Sequence, residues 1–434
     1  MHSAKPTTRP DGALAVATAL LLCTQTATAQ ENSPYSRFGL GDVLNSQNIV
    51  SRSLGGLSIG FTDYQAVNFV NPASYANLKV TTLDVGVEVS SRTLRTTEPV
   101  RRFNSKYMIP TYVQIGMPLS KTRNWGLNFG MVPLTRINYN LSTRTRVAGV
   151  DSVLYNYMGK GGTYQAFAGM AYGGKRLSVG LNTGYRFGNR LYTTRVILVN
   201  DTVPYRKANA SDTTRYGGLY AEAGLLYTIP FGKTTRLRLG LTGSLQQNMR
   251  AARDISRETF EYSPSNGIDI LDSVYRALDE KGTIVYPGSL GFGFTVEKDA
   301  KWLFGAEFQR VQWGDYRYYG QADPLRNSWT ARAGGQYIPD VNGKGYWSRV
   351  IYRAGISFGT DPVTAGQPMN QVLASAGVAL PVRRSFYTNQ FTTVNLAFEA
   401  GTRGNKSNTL RENLFRVALG LNLSDIWFNP RKYD

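Results

Sequence analysis

From about residue 82 to the end of the chain, apolar side chains recur at every second position. Leu83, Val85, Val87 and Val89 alternate with Asp84, Gly86 and Glu88, and Trp125, Leu127, Phe129 and Met131 alternate with Gly126, Asn128 and Gly130. Leu237, Leu239 and Leu241, then Phe415, Val417, Leu419 and Leu421, repeat the pattern. A period of two is the spacing of strands with one apolar and one polar face. It predicts strands near 82–92, 109–119, 124–147, 162–173, 176–199, 214–229, 235–261, 284–298, 301–313, 328–338, 347–359, 370–381, 390–403 and 411–424.

A soluble sandwich also alternates, with its apolar face inward, whereas a membrane barrel turns that face to lipid over segments of about ten residues. Two features select the barrel: the segments are long, and aromatic residues (Trp125, Trp302, Trp313, Trp329, Trp347, Tyr352) sit near their ends as interfacial girdles. Links after even-numbered strands are mostly short (Ser120–Arg123, Gly174–Lys175, Asp299–Ala300), though those near 339–346 and 382–389 are longer. Links after odd-numbered strands are mostly longer (Thr93–Met108, Tyr262–Thr283). Three strands, 124–147, 176–199 and 235–261, are read as single strands rising beyond the membrane, the first bent at Pro133. The expectation is an all-β transmembrane antiparallel barrel of about 14 strands, an even number that leaves both termini on the periplasmic side. Splitting the long strands would give about 17 and lose that parity.

Residues 31–80 do not alternate. They are rich in Gly, Asn and Ser, yet carry Leu54, Leu57, Ile59, Phe61, Val67, Phe69 and Val70. That apolar content argues against simple disorder and for a plug folded into the lumen. Ahead of it, Lys5 and Arg9, the apolar run Ala13–Leu22 and Ala27-Thr28-Ala29 read as a cleaved signal peptide. The run is about half the roughly 20 residues a spanning helix needs, and Leu22 is too large for lipoprotein processing at Cys23. The expected division is a signal peptide over 1–29, an N-terminal hatch over 30–80 and a transmembrane barrel over 81–434.

Composition removes other functions. The chain has one Cys and one His, Cys23 and His2, both in the expected leader. Barrel hydrolases use His as general base beside Ser or Asp, no Ser-x-x-Lys stands out, and no glycine loop sits where it could cradle phosphate. Catalysis is not expected, and neither a cofactor nor a metal site is. Asp269, Asp272 and Glu280 fall in an expected long loop without a calcium-loop spacing. Without the leader, 47 Lys+Arg face 28 Asp+Glu. These cations are scattered among Tyr, Thr and Gly, which suits a basic lumen or rims facing lipids and lipopolysaccharide and does not suit nucleic acid. The expected location is the outer membrane of a Gram-negative-type bacterium.

Leu54-Gly55-Gly56, then Gly60, Asp63, Ala66, Asn68 and Asn71-Pro72-Ala73, run directly into the first strand. This resembles the N-terminal hatch of FadL/TodX-type outer-membrane transport proteins, 14-stranded barrels with Asn-Pro-Ala in the hatch. Trp125–Gly130 followed by Pro133 is similar to the family's third strand. The resemblance implies passive uptake of hydrophobic small molecules such as long-chain fatty acids, with Gly55, Gly56, Asp63, Asn68, Asn71, Pro72 and Ala73 in the gating hatch. By chemistry alone, Pro72 holds Asn71 extended, the Asn amides can bond backbone, and Gly55-Gly56 permits positive φ or close approach. These residues equally suit sealing of a wide barrel. Arg186 and Arg238 could anchor a carboxylate, and Tyr185 or Tyr220 could line its pocket. The same family includes the shuttle barrel of the type IX secretion system. The chain ends, Ser33–Gly39 and Trp427–Asp434, and the extended strands therefore also suit a scaffold or shuttle that binds exported proteins.

Overall fold

Alternation closes into a wall because each strand can satisfy its backbone only through two neighbours, and in lipid an edge would be left unpaired. In the computed structural model, residues 32–426 are described apart from 97–100, 121–123, 149, 201–202, 204, 264–266, 300, 365–366, 383–390, 406–407 and 409. The expected signal peptide and the closing Trp427–Asp434 stretch lie outside the described residues. A two-residue strand, β1 (Asp42–Val43), belongs to the N-terminal segment. The wall begins with β2 (Thr81–Thr96), β3 (Arg101–Pro118), β4 (Asn124–Val147), β5 (Val150–Gly173), β6 (Leu177–Val199) and β7 (Lys207–Phe231). It continues through β8 (Thr235–Ser244), β9 (Gln247–Glu261), β10 (Asp269–Tyr286), β11 (Ser289–Lys298), β12 (Trp302–Val311), β13 (Arg317–Tyr318) and β14 (Ser328–Tyr337). The last strands are β15 (Ile351–Thr360), β16 (Asn370–Val382), β17 (Phe391–Arg403) and β18 (Leu410–Asp425), and β18 pairs with β2 to close a 14-strand antiparallel barrel. No helix among the described residues is long and apolar enough to cross a membrane.

The apolar phase faces outward: Leu83 and Val89 are exposed while Asp84 and Glu88 between them are buried toward the lumen. Aromatic rings cluster near strand ends on that outer face, Trp125 against Tyr172, and Trp329 against Phe308 and Phe358. Trp313 departs from the girdle expectation. It is buried inside, against Tyr286 and Tyr316.

Three expected loops are largely strand. Stretch 93–108 holds the ends of β2 and β3, residues 150–161 belong to β5, and 269–283 belong to β10. The outer-face alternation fades there because a strand beyond the lipid is wet on both faces, while its hydrogen-bond ladder continues. β10 is exposed over nearly all of 269–281. The stretch 235–261 is also broken, at Leu245–Gln246, into β8 and β9, and Pro287–Gly288 breaks β10 from β11. We call the end where β4–β7, β9 and β10 rise highest the rim end, and the opposite end the turn end.

Residues 32–80 fill the lumen. A short helix, α1 (Ile49–Ser53), is wholly buried, with Asn48 Oδ1 accepting from Ser51 N. A 3₁₀ turn over Pro72–Asn77 is capped by Asn71. The segment approaches the wall where the wall has no side chains: a Cβ at Gly334 or Gly355 would collide with the Leu54 backbone.

Candidate functional site

The wall is not zipped throughout. β3 and β4 pair from Pro118↔Gly126 only as far as Val113↔Met131, while β2–β3 pairing continues to Thr96↔Arg101 and β4–β5 pairing to Val147↔Val150. Above the last shared pair the two strands separate. Both carry a proline at that height, Pro110 and Pro133, which removes one N–H from each strand. Register shifts accompany them, at Gly86/Val87 beside Pro110 and at Pro133/Thr135.

The N-terminal segment occupies this seam from inside. β1 pairs antiparallel with the freed edge of β4, Asp42↔Arg136 and Val43↔Thr135. Leu44 N donates to Leu134 O at 2.9 Å and Ser33 N to Asn138 O at 2.9 Å. Further toward the rim, Asn32 Nδ2 donates to Asn140 O at 2.9 Å, and Asn32 N donates to Ser105 Oγ of β3 at 3.0 Å. A buried ion network holds the segment down. Asp42 pairs with Arg92 at 2.8 Å and with Arg403 at 2.9 Å, and Arg403 also pairs with Asp361 at 2.6 Å. Glu412 lies 3.5 Å from Arg403 and 3.8 Å from Arg92. Deeper in, Arg52 of α1 ties the segment to Glu399 at 2.7 Å and to Glu88. None of these charges faces lipid: each is buried, on the lumen phase of its strand, in the segment or, for Asp361, just past the end of β15.

A second interruption lies four strands further round the wall. β7 pairs with β8 over Glu222–Phe231 and with β9 over Lys207–Gly217, so Gly218–Ala221 meets the Leu245–Gln246 break. Leu219 and Leu245 are 76% and 87% exposed on its outer side. Its inner side carries two of the expected ligand residues. Arg186 donates from Nε to Gln165 Oε1 at 2.8 Å and from Nη1 to Gln247 Oε1 at 3.2 Å. Its guanidinium lies 4.4 Å from the ring centroids of both Tyr220 and Tyr286. A cavity of about 210 Å³ joins Arg186 to Phe69, Val70, Trp313, and Val132 and Leu134 of β4, so it runs from this interruption toward the seam.

The other expected residues are dispersed. Arg238 is engaged with Glu297 at 2.6 Å, at the turn end, remote in the fold from the Arg186 cavity. Tyr185 corrects the sequence reading: it is 48% exposed on the lipid-facing phase, stacked on Phe187, since neighbours on a strand point to opposite faces and Arg186 points inward. Gly55 and Gly56 have φ of +74° and +88°, and Gly55 N donates to Ser375 Oγ at 2.8 Å. Asp63 Oδ1 accepts from Gln65 N and Ala66 N. Asn68 Nδ2 donates to Ser58 O and Phe61 O, and Asn71 Nδ2 to Ile59 O and Leu225 O. Pro72 opens the 3₁₀ turn, and Ala73 N donates to Asn71 Oδ1 at 3.1 Å. The amides of Asn68 and Asn71 thus bond backbone, as folding elements do. Asp269, Asp272 and Glu280 lie on β10 and not in a loop, and the described residues contain no group of acids, His or Cys arranged to hold a metal.

Sequence reasoning missed Asp42, Arg92, Arg403 and Asp361. The signal available was charge on the lumen phase of strands near their rim ends, which pairs only once the barrel closes. It also missed Pro110, whose partner in forming the seam, Pro133, was seen.

Comparison with solved structures finds the same architecture. A Pseudomonas aeruginosa FadL homologue superposes with a TM-score of 0.57 at 10% identity, covering 90% of this chain and 100% of that one. The CymD monoaromatic hydrocarbon channel gives 0.55 at 14%, covering 88% and 98%. The Pseudomonas putida toluene transporter TodX gives 0.51 at 14%, covering 89% and 99%. The fold is therefore of the FadL/TodX type. No curated protein matches the sequence. The family model described as BamG matches residues 13–434, nearly the whole of a barrel whose seam, plug and lumen have just been described, and the chain belongs to the BamG family.

Proposed function

We propose that the protein is an outer-membrane channel for passive uptake of hydrophobic small molecules such as long-chain fatty acids. Its rim end is extracellular, its turn end periplasmic, and its N-terminal segment acts as the gate. The observation that carries this is the β3–β4 seam: an unpaired stretch of wall, beside the lumen cavity at Val132 and Leu134, closed only by a non-covalently held piece of the same chain. An apolar solute entering from the rim reaches that cavity and leaves sideways into lipid when β1 lifts from β4. The route spares it from crossing the polar lower hatch. Its lining sets an apolar side, Phe69, Val70, Val132, Leu134 and Trp313, against a polar one that includes Arg186, Glu222 and Arg332, and the FadL homologue, CymD and TodX share the architecture.

The test is a reversible lock. Cross-strand neighbours in antiparallel pairs lie within disulfide reach, so Val43→Cys with Thr135→Cys staples β1 to β4. In cells lacking their own carrier, expression of the unstapled protein should raise uptake of labelled oleate. The oxidised pair should cut that uptake by at least ~10-fold, the size of a ~1.4 kcal/mol change in barrier, with recovery on reduction. Unchanged uptake through the oxidised pair removes the gate; no uptake by the unstapled protein removes the channel.

One observation favours a scaffold role as a second reading. β10 carries Ile270, Val274 and Leu278 at 60% or more exposure on the part that rises above the barrel. Exposed apolar side chains above the lipid belt suit a protein partner, and pull-down with those three changed to Ser distinguishes the two roles.

A further inference from the structure

We infer that the turn end of the lumen holds a binding site for the anionic headgroup of an amphiphile, with Arg353 as its anchor. The buried arginines provide the contrast. Among the described residues, Arg52, Arg92, Arg238, Arg403 and Arg416 each lie within 4 Å of a buried or half-buried carboxylate. Arg186 and Arg190 are instead held between tyrosine rings, Arg190 at 4.5 Å from Tyr192 and 3.6 Å from Tyr318. Arg353 has neither kind of partner. It is 5% exposed. Its Nε donates to Gln336 Oε1 at 3.2 Å and its Nη1 to Asn395 Oδ1 at 3.0 Å, while its Nη2 has no hydrogen-bond partner among the described residues. A buried guanidinium offers five N–H donors, and leaving a buried charge uncompensated is costly.

The cavity supplies what the protein withholds. Arg353 lines a space of about 630 Å³ between the underside of the hatch, Phe61–Ala66, and the turn-end wall. That volume lies within the ordinary range of ligand pockets. Arg236 and Arg238 on its lining engage Asp299 and Glu297. Asp63 is the remaining carboxylate there, set against Arg353, Arg349, Lys79, Lys298 and Lys301. Gln65 opens on the same cavity, and its buried Nε2 has no partner, although its Oε1 accepts from Thr393 Oγ1 at 3.3 Å. Beside this cationic side the lining is apolar, with Phe61, Leu303, Ile338 and Ile351. A compact anion on an aliphatic tail matches both halves; inorganic anions match one and neutral hydrocarbons the other.

The inference goes beyond the uptake reading, because this cavity lies beneath Phe61–Ala66 and off the sideways route, and binding there is measurable without transport. The test uses the full mature chain in nanodiscs with diazirine-bearing dodecanoate, and adducts mapped by mass spectrometry. Adducts are expected on 61–66, 302–303 and 338–351. Arg353→Gln should reduce them at least ~10-fold, the loss of a charge-assisted pair, and Gln65→Leu by a smaller ~2- to 5-fold. Heat-modifiable gel mobility confirms that each variant is folded. The equivalent diazirine dodecanol should label at least ~10-fold less. Competition by dodecanoate above dodecyl phosphate supports a free fatty acid, and the reverse order supports a phosphate-headed lipid. Equal labelling of Arg353→Gln, equal labelling by the alcohol, or full competition by inorganic phosphate at matched concentration overturns the proposal. Lost labelling with oleate uptake intact would remove this site and keep the channel; retained labelling without uptake would do the opposite.

Discussion

The two halves of the lumen are built differently. Toward the rim, the N-terminal segment is fastened by charge: Asp42, Asp361 and Glu412 meet Arg92 and Arg403, with every one of these side chains buried. Toward the turn end, below the Arg52–Glu399 pair, the segment is fastened mainly through backbone: Asn68 and Asn71 bond carbonyls, and Leu54 lies against glycines of the wall. There Arg353, on the cavity, lacks a carboxylate partner within ion-pair distance among the described residues. Charge matched by charge serves structure, and a charge left over beside a cavity points to a ligand. At the rim, buried ion pairs, a two-residue strand and a few flanking hydrogen bonds hold the segment around β1. In the lower half the contacts are spread over the wall.

The largest effect should come from breaking the rim network. Arg403→Met leaves Asp42, Asp361 and Glu412 with one cation fewer, and removing one partner of a buried network costs about 3–5 kcal/mol. The expected outcome is a lower unfolding temperature together with protease access near residues 32–44. If unfolding and proteolysis are unchanged, the rim half is not held by charge and the contrast fails.

Next comes the backbone half. Gly355→Val places a Cβ on the Leu54 backbone, and overpacking of this kind costs about 1–3 kcal/mol. Thermal unfolding should fall while the N-terminal segment stays protected from protease. Release of residues 32–44 by this substitution would show that the two halves move as one.

The smallest effect sharpens the site between them. Tyr220 OH is buried without a partner, beneath Arg186. Tyr220→Phe removes an unsatisfied group and should leave stability unchanged or raise it by up to about 1 kcal/mol. A loss of more than that would mean that the hydroxyl is satisfied by ordered water or ligand in the lumen, and would move the cavity's polar anchor from Arg186 to Tyr220.

Much of this was legible before folding. Alternation located the strands wherever lipid lies on one side, as at Leu83–Val89 and Phe415–Leu421, because lipid demands an apolar residue at each outward position. It failed at 269–283, where no lipid imposes the pattern. Pro133 announced a bend in β4, but Pro110 faced it from another strand and the seam needed both. Tyr185 was misplaced because adjacent residues on a strand cannot share a face, and only the register decides which of them faces inward.

The sequence by itself determined the barrel, its outward face, an even strand number and an N-terminal stretch without strand alternation. Those follow from local rules, since period, proline and glycine act on a residue and its immediate neighbours. The tertiary structure alone decided where the wall opens, which segment fills the opening, and which buried arginine has no carboxylate partner. Asp42 and Arg403 are 361 residues apart, and Arg353 is set apart by partners on β14 and β17. Charge compensation is a property of three-dimensional neighbourhood, and no spacing along the chain encodes it.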